Sequence, residues 1–366
     1  MRRVAAVSVA AFALALLATR PAQAQAGEAG AAPAPETARL DSVVRSFLPS
    51  RFAGAVRVER GGRVLLDRGY GLANRERGVP NTPATRFAIG SLTKQFTAAA
   101  IMLLAGDGRL HTSDPVTHWF PETSPAWDGM TLRHVLSHTA GIPNVQGPDE
   151  LGDSAGTPGE RAVRRFGRQR PEFAPGTSYA YSNTGYLVLG RVIELAGGLP
   201  YSEFVSRRVL APLGLADTGF RTAGTDSTRC ARGYLARRGT VGAPPLLDLP
   251  RLDAAGALWS TTGDLLRWQR ALLGGALLPP AALAEMTTAV QGDYAYGIHH
   301  RTGSGREAYY HSGRANGFES VLGYYPGDSL AVVVLENLDT GAAADVFNQL
   351  VLAALRPAPE PAKPAR

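Results

Sequence analysis

Gly90-Ser91-Leu92-Thr93-Lys94-Gln95 carries the one lysine in the body of this chain; the only other, Lys363, stands in a proline-rich tail, and the rest of the 38 basic residues are arginines. An arginine, with a pKa above about 12, does not give up its proton, whereas a lysine can. Lysine kept at this one place points to a base, and Ser91, three residues before it, to a nucleophile. From Ser91 to Gly106 the apolar positions Phe96, Ala100, Met102, Leu103 and Leu104 predict a mostly buried helix that opens on the serine. Residues three apart share a helix face, so the Lys94 amine reaches the Ser91 hydroxyl, and the helix N-terminus favours negative charge developing there. Ser-x-x-Lys alone arises by chance about once in a chain of this size; the apolar helix around it gives it weight. To act as a base the amine must be partly neutral, which requires desolvation or neighbouring positive potential.

Upstream of this segment, Leu40, Val43, Val44, Phe47 and Leu48 fall at helical spacing. Ala53 to Arg60 and Arg63 to Tyr70 read as strands joined through Gly61-Gly62 in a hairpin, and Arg86 to Ile89 as a short strand running into Ser91. Downstream, from about 110 to 290, short helical patterns (Thr131 to His138, Thr184 to Ala196, Thr262 to Leu273) alternate with Gly/Pro loops. Strand patterns return at Ala295 to His300, Glu307 to His311, Glu319 to Tyr325 and Leu330 to Glu336, and Ala342 to Leu355 closes the fold with an apolar helix. Strands at both ends of a helical middle imply an α/β (α+β) domain, residues 38–356, in which an α/β part (about 38–90 and 290–356) is interrupted by an inserted all-helical part (about 91–289).

Outside that domain the chain begins Met1-Arg2-Arg3, follows with an apolar run from Val4 to Ala18, and reaches Pro21-Ala22-Gln23-Ala24. This pattern predicts a signal peptide over residues 1–24 and export to a periplasm or the extracellular space. About 15 apolar residues are too few for an ordinary membrane span, so no stable membrane anchor is expected. Residues 25–37 read as an Ala/Gly/Pro linker, and 357–366 as a disordered Pro-rich tail. Export would permit disulfides, but Cys230 is the single cysteine, so no internal bridge can form. The formal charge of +7 falls to +4 if Arg2, Arg3 and Arg20 leave with the signal, a modest value for 366 residues. The five arginines from Arg161 to Arg170 read as a solvated helical face. No aromatic platform accompanies them, so no nucleic-acid partner is expected.

Two further patches bear chemistry. Tyr181-Ser182-Asn183 supplies a tyrosine able to move a proton and an amide able to hold a substrate carbonyl together with Lys94. His311-Ser312-Gly313-Arg314 lies on a strand running into a turn, where a glycine lets a substrate lie against the strand edge. In this order and spacing the three patches resemble the serine β-lactamase and penicillin-binding-protein family, in particular its class C, D,D-carboxypeptidase and esterase-like branch. Thr131 to Ile142, Pro212-Leu213-Gly214-Leu215 and Gly256 to Asp264 extend the likeness to about residues 38–355.

The resemblance implies an antiparallel β-sheet flanked by helices, with a helical domain and the active site between them. It implies Ser91 as acylated nucleophile, Lys94 as its proton acceptor, Tyr181 as second acid/base, and Asn183, His311, Ser312, Gly313 and Arg314 as substrate-binding residues. The backbone N–H groups of Ser91 and Arg314 would form the oxyanion hole, worth a few kcal/mol in the transition state. Where many β-lactamases carry lysine, this chain has His311, mostly neutral near pH 7; carboxylate recognition is then weaker, or shared with Arg314. The Glu-x-x-x-Asn pattern of class A enzymes does not occur, so water activation would fall to Tyr181 and Lys94.

Other motifs carry less. Gly152-Asp153-Ser154-Ala155-Gly156 matches Gly-x-Ser-x-Gly, but no strand precedes it. His134 and His138 stand at i and i+4 without a third ligand and read as structural. Tyr294, Tyr296 and His299 could line the cleft or simply alternate along a strand. The expectation is an exported serine hydrolase without metal or cofactor, acting on a cell-wall peptide ending in D-alanine; the alternatives are a carboxylesterase, a class C-like β-lactamase, or a penicillin-recognising binding protein. Oligomeric state is not legible.

Overall fold

A computed structural model describes residues 34–145, 148–152, 155–221, 227–237, 240–244, 249–303, 305–315 and 317–356. The segments read as signal peptide and proline-rich tail, and Ser154, lie outside the described residues.

The first helix, α1, spans Pro35–Arg45 and so begins inside the stretch read as linker. Its Glu36 explains why: the carboxylate receives Arg60 at 3.1 Å and Arg63 at 2.8 Å, fastening the helix start to the hairpin that follows. That hairpin is β1 (Gly54–Arg60) and β2 (Arg63–Tyr70), turned through Gly61 and Gly62 at φ +54° and +79°. Two successive left-handed residues match the twist of the strands they join, which is why a glycine pair stands there.

Four later strands, β3 (His299–Gly303), β4 (Arg306–Ala315), β5 (Phe318–Tyr325) and β6 (Leu330–Glu336), complete one six-stranded sheet in the order β3-β4-β5-β6-β1-β2. Every neighbouring pair is antiparallel. Along β6 every residue is buried, because both sheet faces are covered. Leu330, Val332 and Val334 join a core with Leu40 and Val44 of α1 and Val346 and Leu350 of the C-terminal helix Ala342–Leu355. Ala331, Val333 and Leu335 turn the other way, into the larger core built with Phe96, Leu265 and Trp268. Successive strand residues point to opposite faces, so a continuous apolar run marks a strand sandwiched between layers.

That larger core belongs to the helical middle. Its centre is α2 (Thr93–Gly106), buried on nearly all sides, with α3 (Asn183–Gly197) and α4 (Thr262–Leu273) about it. The middle is not helical throughout. Leu258–Ser260 pairs antiparallel with Phe87–Ala88 and with Gly219–Phe220, and Tyr234–Arg237 pairs with Thr240–Gly242 and, in parallel, with Leu338–Asp339. These strands are two to four residues long, too short to show a period of two in the sequence. The strand expected at Ala295 to His300 begins only at His299, because Gly297 (φ +68°) makes a turn against α2. A Cβ there would lie 2.5 Å from the Lys94 carbonyl oxygen. From Pro35 the described chain forms one compact unit, and among the described residues no helix is long and apolar enough to cross a membrane.

One buried acid leaves a thermodynamic signature. Glu336, at the end of β6, is fully buried; burial, then the charge of Glu319, pushes its carboxyl from 4.5 up to about 9. Its Oε1 lies 3.1 Å from the Thr340 hydroxyl, and its Oε2 has no partner among the described residues. Between those two pH values the fold keeps a proton that the unfolded chain has released. The group's contribution is therefore complete at low pH and is lost as pH rises toward 9, by about 1.4 kcal/mol per pH unit. Glu336→Gln keeps shape and neutrality, so thermal unfolding followed across this window should fall less steeply than in the wild type. An unchanged slope would mean that Glu336 is ionised in the fold.

Candidate active site

Ser91 sits in a short 3-10 turn, Gly90–Leu92, that leads directly into α2, so the serine precedes the α-helix by one turn rather than opening it. Lys94, in the first turn of α2, has no exposed surface. Its Nζ lies 2.8 Å from Asn183 Oδ1, 2.7 Å from the Ala255 carbonyl and 3.2 Å from Ser91 Oγ. Burial holds its pKa well below the usual lysine value of 10.5. A neutral amine has two N–H donors and one lone pair. Asn183 Oδ1 and Ala255 O can only accept, so they take the two donors and leave the lone pair for the Ser91 hydroxyl proton. From the other side the Tyr181 hydroxyl donates to Ser91 Oγ at 2.7 Å. Burial raises the Tyr181 pKa far above the ordinary phenol, so it stays protonated. The faces of Tyr181 and Tyr186, 4.8 Å and 5.3 Å from Nζ, would steady an ammonium formed there in passing.

Asn183 reaches Lys94 because α3 starts at that residue, capped by the Ser182 side chain, which accepts from Gly185 N. The third patch arrives on β4. Gly313 is a glycine for a reason other than the one expected from sequence. A Cβ on Gly313 would meet the Ile89 carbonyl at 2.1 Å and Ser91 N at 2.9 Å, so the protein's own backbone, not a substrate, occupies that space. Gly90 (φ +51°) makes the reciprocal approach, its Cβ position lying 2.8 Å from Arg314 N. The two glycines thus let the Gly90–Ser91 and Gly313–Arg314 backbones pack against each other.

His311 and Arg314 behave differently from a carboxylate-binding pair. His311 is buried, and burial above all pushes its pKa down to about 3, so it is neutral. Arg314, whose side chain is 70% exposed, is already paired. Its Nη2 and Nε are 2.6 Å and 3.2 Å from Asp339, and Glu319 lies 3.7 Å away.

The His311 tautomer follows from a chain of bonds. Ser182 N donates to His138 Nδ1 (3.1 Å), which puts the proton of neutral His138 on Nε2, facing the Tyr294 hydroxyl at 3.2 Å. Tyr294 then donates to His311 Nε2 at 3.1 Å, and His311 Nδ1–H to the Ser312 carbonyl at 2.6 Å. Burial, then neighbouring positive charge, lowers the His138 pKa well below 6.5, as the chain requires. Two patches far apart in sequence are locked together by neutral rings. His134, the other histidine of the i, i+4 pair, instead accepts from Thr131 N at its own helix start.

Ser91, Tyr181, His311, Ser312, Gly313 and Arg314 line one cavity of about 540 Å³, with Lys94 and Asn183 behind the serine. His299 and Glu319 line it too. Sequence reasoning had not assigned the Ala255 carbonyl, His138, Glu319 or Asp339 to the site, and had left Tyr294 and His299 open between cleft and strand. A Tyr-x-Tyr-Gly-x-His run and a histidine beside Thr139-Ala140-Gly141 were visible, but nothing in them indicates mutual contact. A site with a desolvated amine beside a hydroxyl, a phenol on the same oxygen and two backbone N–H groups close by can perform acyl transfer.

The sequence model of a family described as Beta-lactamase matches residues 40–355. PbpX of Bacillus subtilis (strain 168), classed by its name with the penicillin-binding proteins, is 28% identical over 82% of this chain and 74% of its own length. Esterase EstB of Burkholderia gladioli is 38% identical over 204 residues, 51% of this chain and 52% of EstB, so the match spans about half of that protein. The octameric penicillin-binding protein homologue from Pyrococcus abyssi superimposes with a TM-score of 0.76 at 28% identity, covering 87% of this chain and 77% of that one.

Proposed function

Because the chain belongs to the Beta-lactamase family and is a serine hydrolase of that fold, we propose that it cleaves an ester or amide lacking a free carboxylate at the scissile end, through an acyl-Ser91 intermediate. The arrangement of Lys94 carries the reading: a fully buried amine whose lone pair is left to Ser91 Oγ. Oγ attacks the carbonyl carbon while Nζ takes its proton, and the oxyanion forms against the N–H groups of Ser91 and Arg314. The leaving group departs with the proton of the Tyr181 hydroxyl, and the Lys94 ammonium restores the phenol.

The restriction to uncharged substrates follows from the walls. His311 is neutral, Arg314 is tied to Asp339, and Glu319 adds a carboxyl group to the cavity. A substrate carboxylate would find there a neutral imidazole and a guanidinium already shared with Asp339, so the pull on it is weakened. Similarity to EstB agrees with an ester substrate. The D,D-carboxypeptidase reading keeps one observation in its favour: pairing of β3 with β4 ends at His299 and Tyr310, so β4 from His311 to Ala315 offers its outer edge to an extended peptide.

Hydrolysis of one acyl-D-alanyl-D-alanine, as free acid and as methyl ester, separates the two. The ester should show the higher kcat/KM, by about tenfold or more, the cost of one carboxylate left without a partner. A preference for the free acid would overturn the uncharged-substrate reading and restore the peptidase.

A further inference from the structure

Hydrolysis of an acyl-enzyme needs a base that water can reach. In the Ser91 cluster none is open to it. Lys94 is sealed from solvent, and burial keeps Tyr181 protonated. On the opposite wall stands a pair the mechanism has not used. Asp293-Tyr294-Ala295-Tyr296-Gly297-Ile298-His299 folds back through the Gly297 turn, with Ala295 N on the Ile298 carbonyl at 2.8 Å and His300 N on the Asp293 carbonyl at 2.7 Å. The turn sets His299 Nδ1 2.8 Å from Asp293 Oδ1.

The other carboxylate oxygen, Asp293 Oδ2, is held by the Tyr310 hydroxyl at 2.7 Å and by Arg301 at 3.1 Å. Burial works against ionisation, but the bonds from Tyr310, His299 and Arg301 outweigh it and bring the Asp293 pKa down to about 2. An ionised carboxylate only accepts, so Nδ1 of His299 carries a proton, and in the neutral ring the lone pair is on Nε2. The ring is fixed by a parallel stack on Tyr310 (4.7 Å, 10°) and by the Tyr294 ring meeting it edge-on (4.7 Å, 87°). His299 lines the same cavity as Ser91 and Tyr181, and its Nε2 has no hydrogen-bond partner among the described residues. An orienting carboxylate, a fixed ring and an Nε2 without a partner, on a residue that lines the nucleophile's cavity, are the parts of a general base.

We propose that His299, oriented by Asp293, is the general base that activates water for hydrolysis of the acyl-Ser91 intermediate. This rests on the acyl-enzyme reading above. Nε2 takes one proton from water as the water oxygen bonds the acyl carbon. The C–Oγ bond then breaks, and Oγ takes the proton of the Tyr181 hydroxyl that already faces it. The product acid returns its own proton to Tyr181 and leaves as a carboxylate, and His299 releases its proton to solvent. Asp293 is a positioning residue, since it touches only the imidazole.

The test uses a p-nitrophenyl ester, with burst and steady-state kinetics and intact mass, on wild type, His299→Ala, His299→Gln and Asp293→Asn. The three variants should give a full burst, accumulate the Ser91 adduct and turn over about 10²-fold more slowly. Their kcat and KM should fall together, leaving kcat/KM within about twofold. Added imidazole should restore turnover to His299→Ala, which has space for it, and not to His299→Gln. Unchanged turnover, or a loss confined to the burst with no rescue, would overturn the proposal. A wild type that forms no adduct on Ser91 would overturn the acyl-enzyme reading, and this step with it; adducts with normal turnover in the variants would overturn this step alone.

Discussion

Ser91→Ala is expected to lower turnover by about 10⁴- to 10⁶-fold, the usual range for loss of a nucleophile that acts together with its base. The change removes one oxygen and little else. That oxygen contacts Lys94 Nζ and the Tyr181 hydroxyl, and it borders a cavity, so water can take its place. Stability should therefore shift by no more than about 1 kcal/mol. Intact-protein mass spectrometry with a fluorophosphonate and with a penicillin reads the chemistry directly: wild type should gain mass and Ser91→Ala should not. Adducts of equal extent in both proteins would place the nucleophile elsewhere. If wild type binds a penicillin without reacting, the non-enzymatic alternative of a recognition protein gains ground.

Lys94→Arg and Lys94→Met form the second expectation, a loss of about 10³-fold in kcat/KM for each. The arginine keeps the charge but cannot surrender a proton, and its planar head must enter a site with no exposed surface. Methionine matches the length and removes the base. If charge alone mattered, the arginine variant would retain activity; equal losses identify proton acceptance as the role.

Stability provides a second reading of the same residue. Because the Lys94 pKa in the fold lies below 10.5, the unfolded chain binds more protons between the two values. Wild-type stability attributable to this group is present above pH 10.5 and declines as pH falls toward the folded-state pKa. Lys94→Met lacks that slope, although it leaves Asn183 Oδ1 and Ala255 O without a donor, at about 1–3 kcal/mol each. Chemical denaturation at several alkaline pH values separates the slope from the offset. Parallel curves for wild type and variant would mean that Lys94 is charged in the fold.

What could be read before folding was local. The helix carrying Lys94, the Gly61-Gly62 hairpin, β6 and the closing helix are each set by neighbours in the chain: side-chain period, turn glycines, length. The nearness of Ser91 and Lys94 is of the same kind, since three residues make about one turn. The strands of two to four residues escaped, because their pairing partners rather than their own pattern stabilise them. Gly313 was visible as a glycine in a functional patch, yet its purpose depended on which atoms filled the missing side chain, and these belong to Ile89 and Ser91.

The sequence by itself determined where a nucleophile and its base are expected, because the proposed acyl-transfer chemistry depends on residue type at short spacing. Only the tertiary structure decided the electrostatics of the substrate cavity. Arg314 is paired with Asp339, His311 is kept uncharged by burial, the Lys94 donors are consumed by Asn183 and a backbone carbonyl, and His299 is held by Asp293. The physical reason is that a side chain's charge and proton depend on what surrounds it within a few ångströms, and packing fills that shell, as at Lys94 and Ala255, with groups up to 161 residues away along the chain.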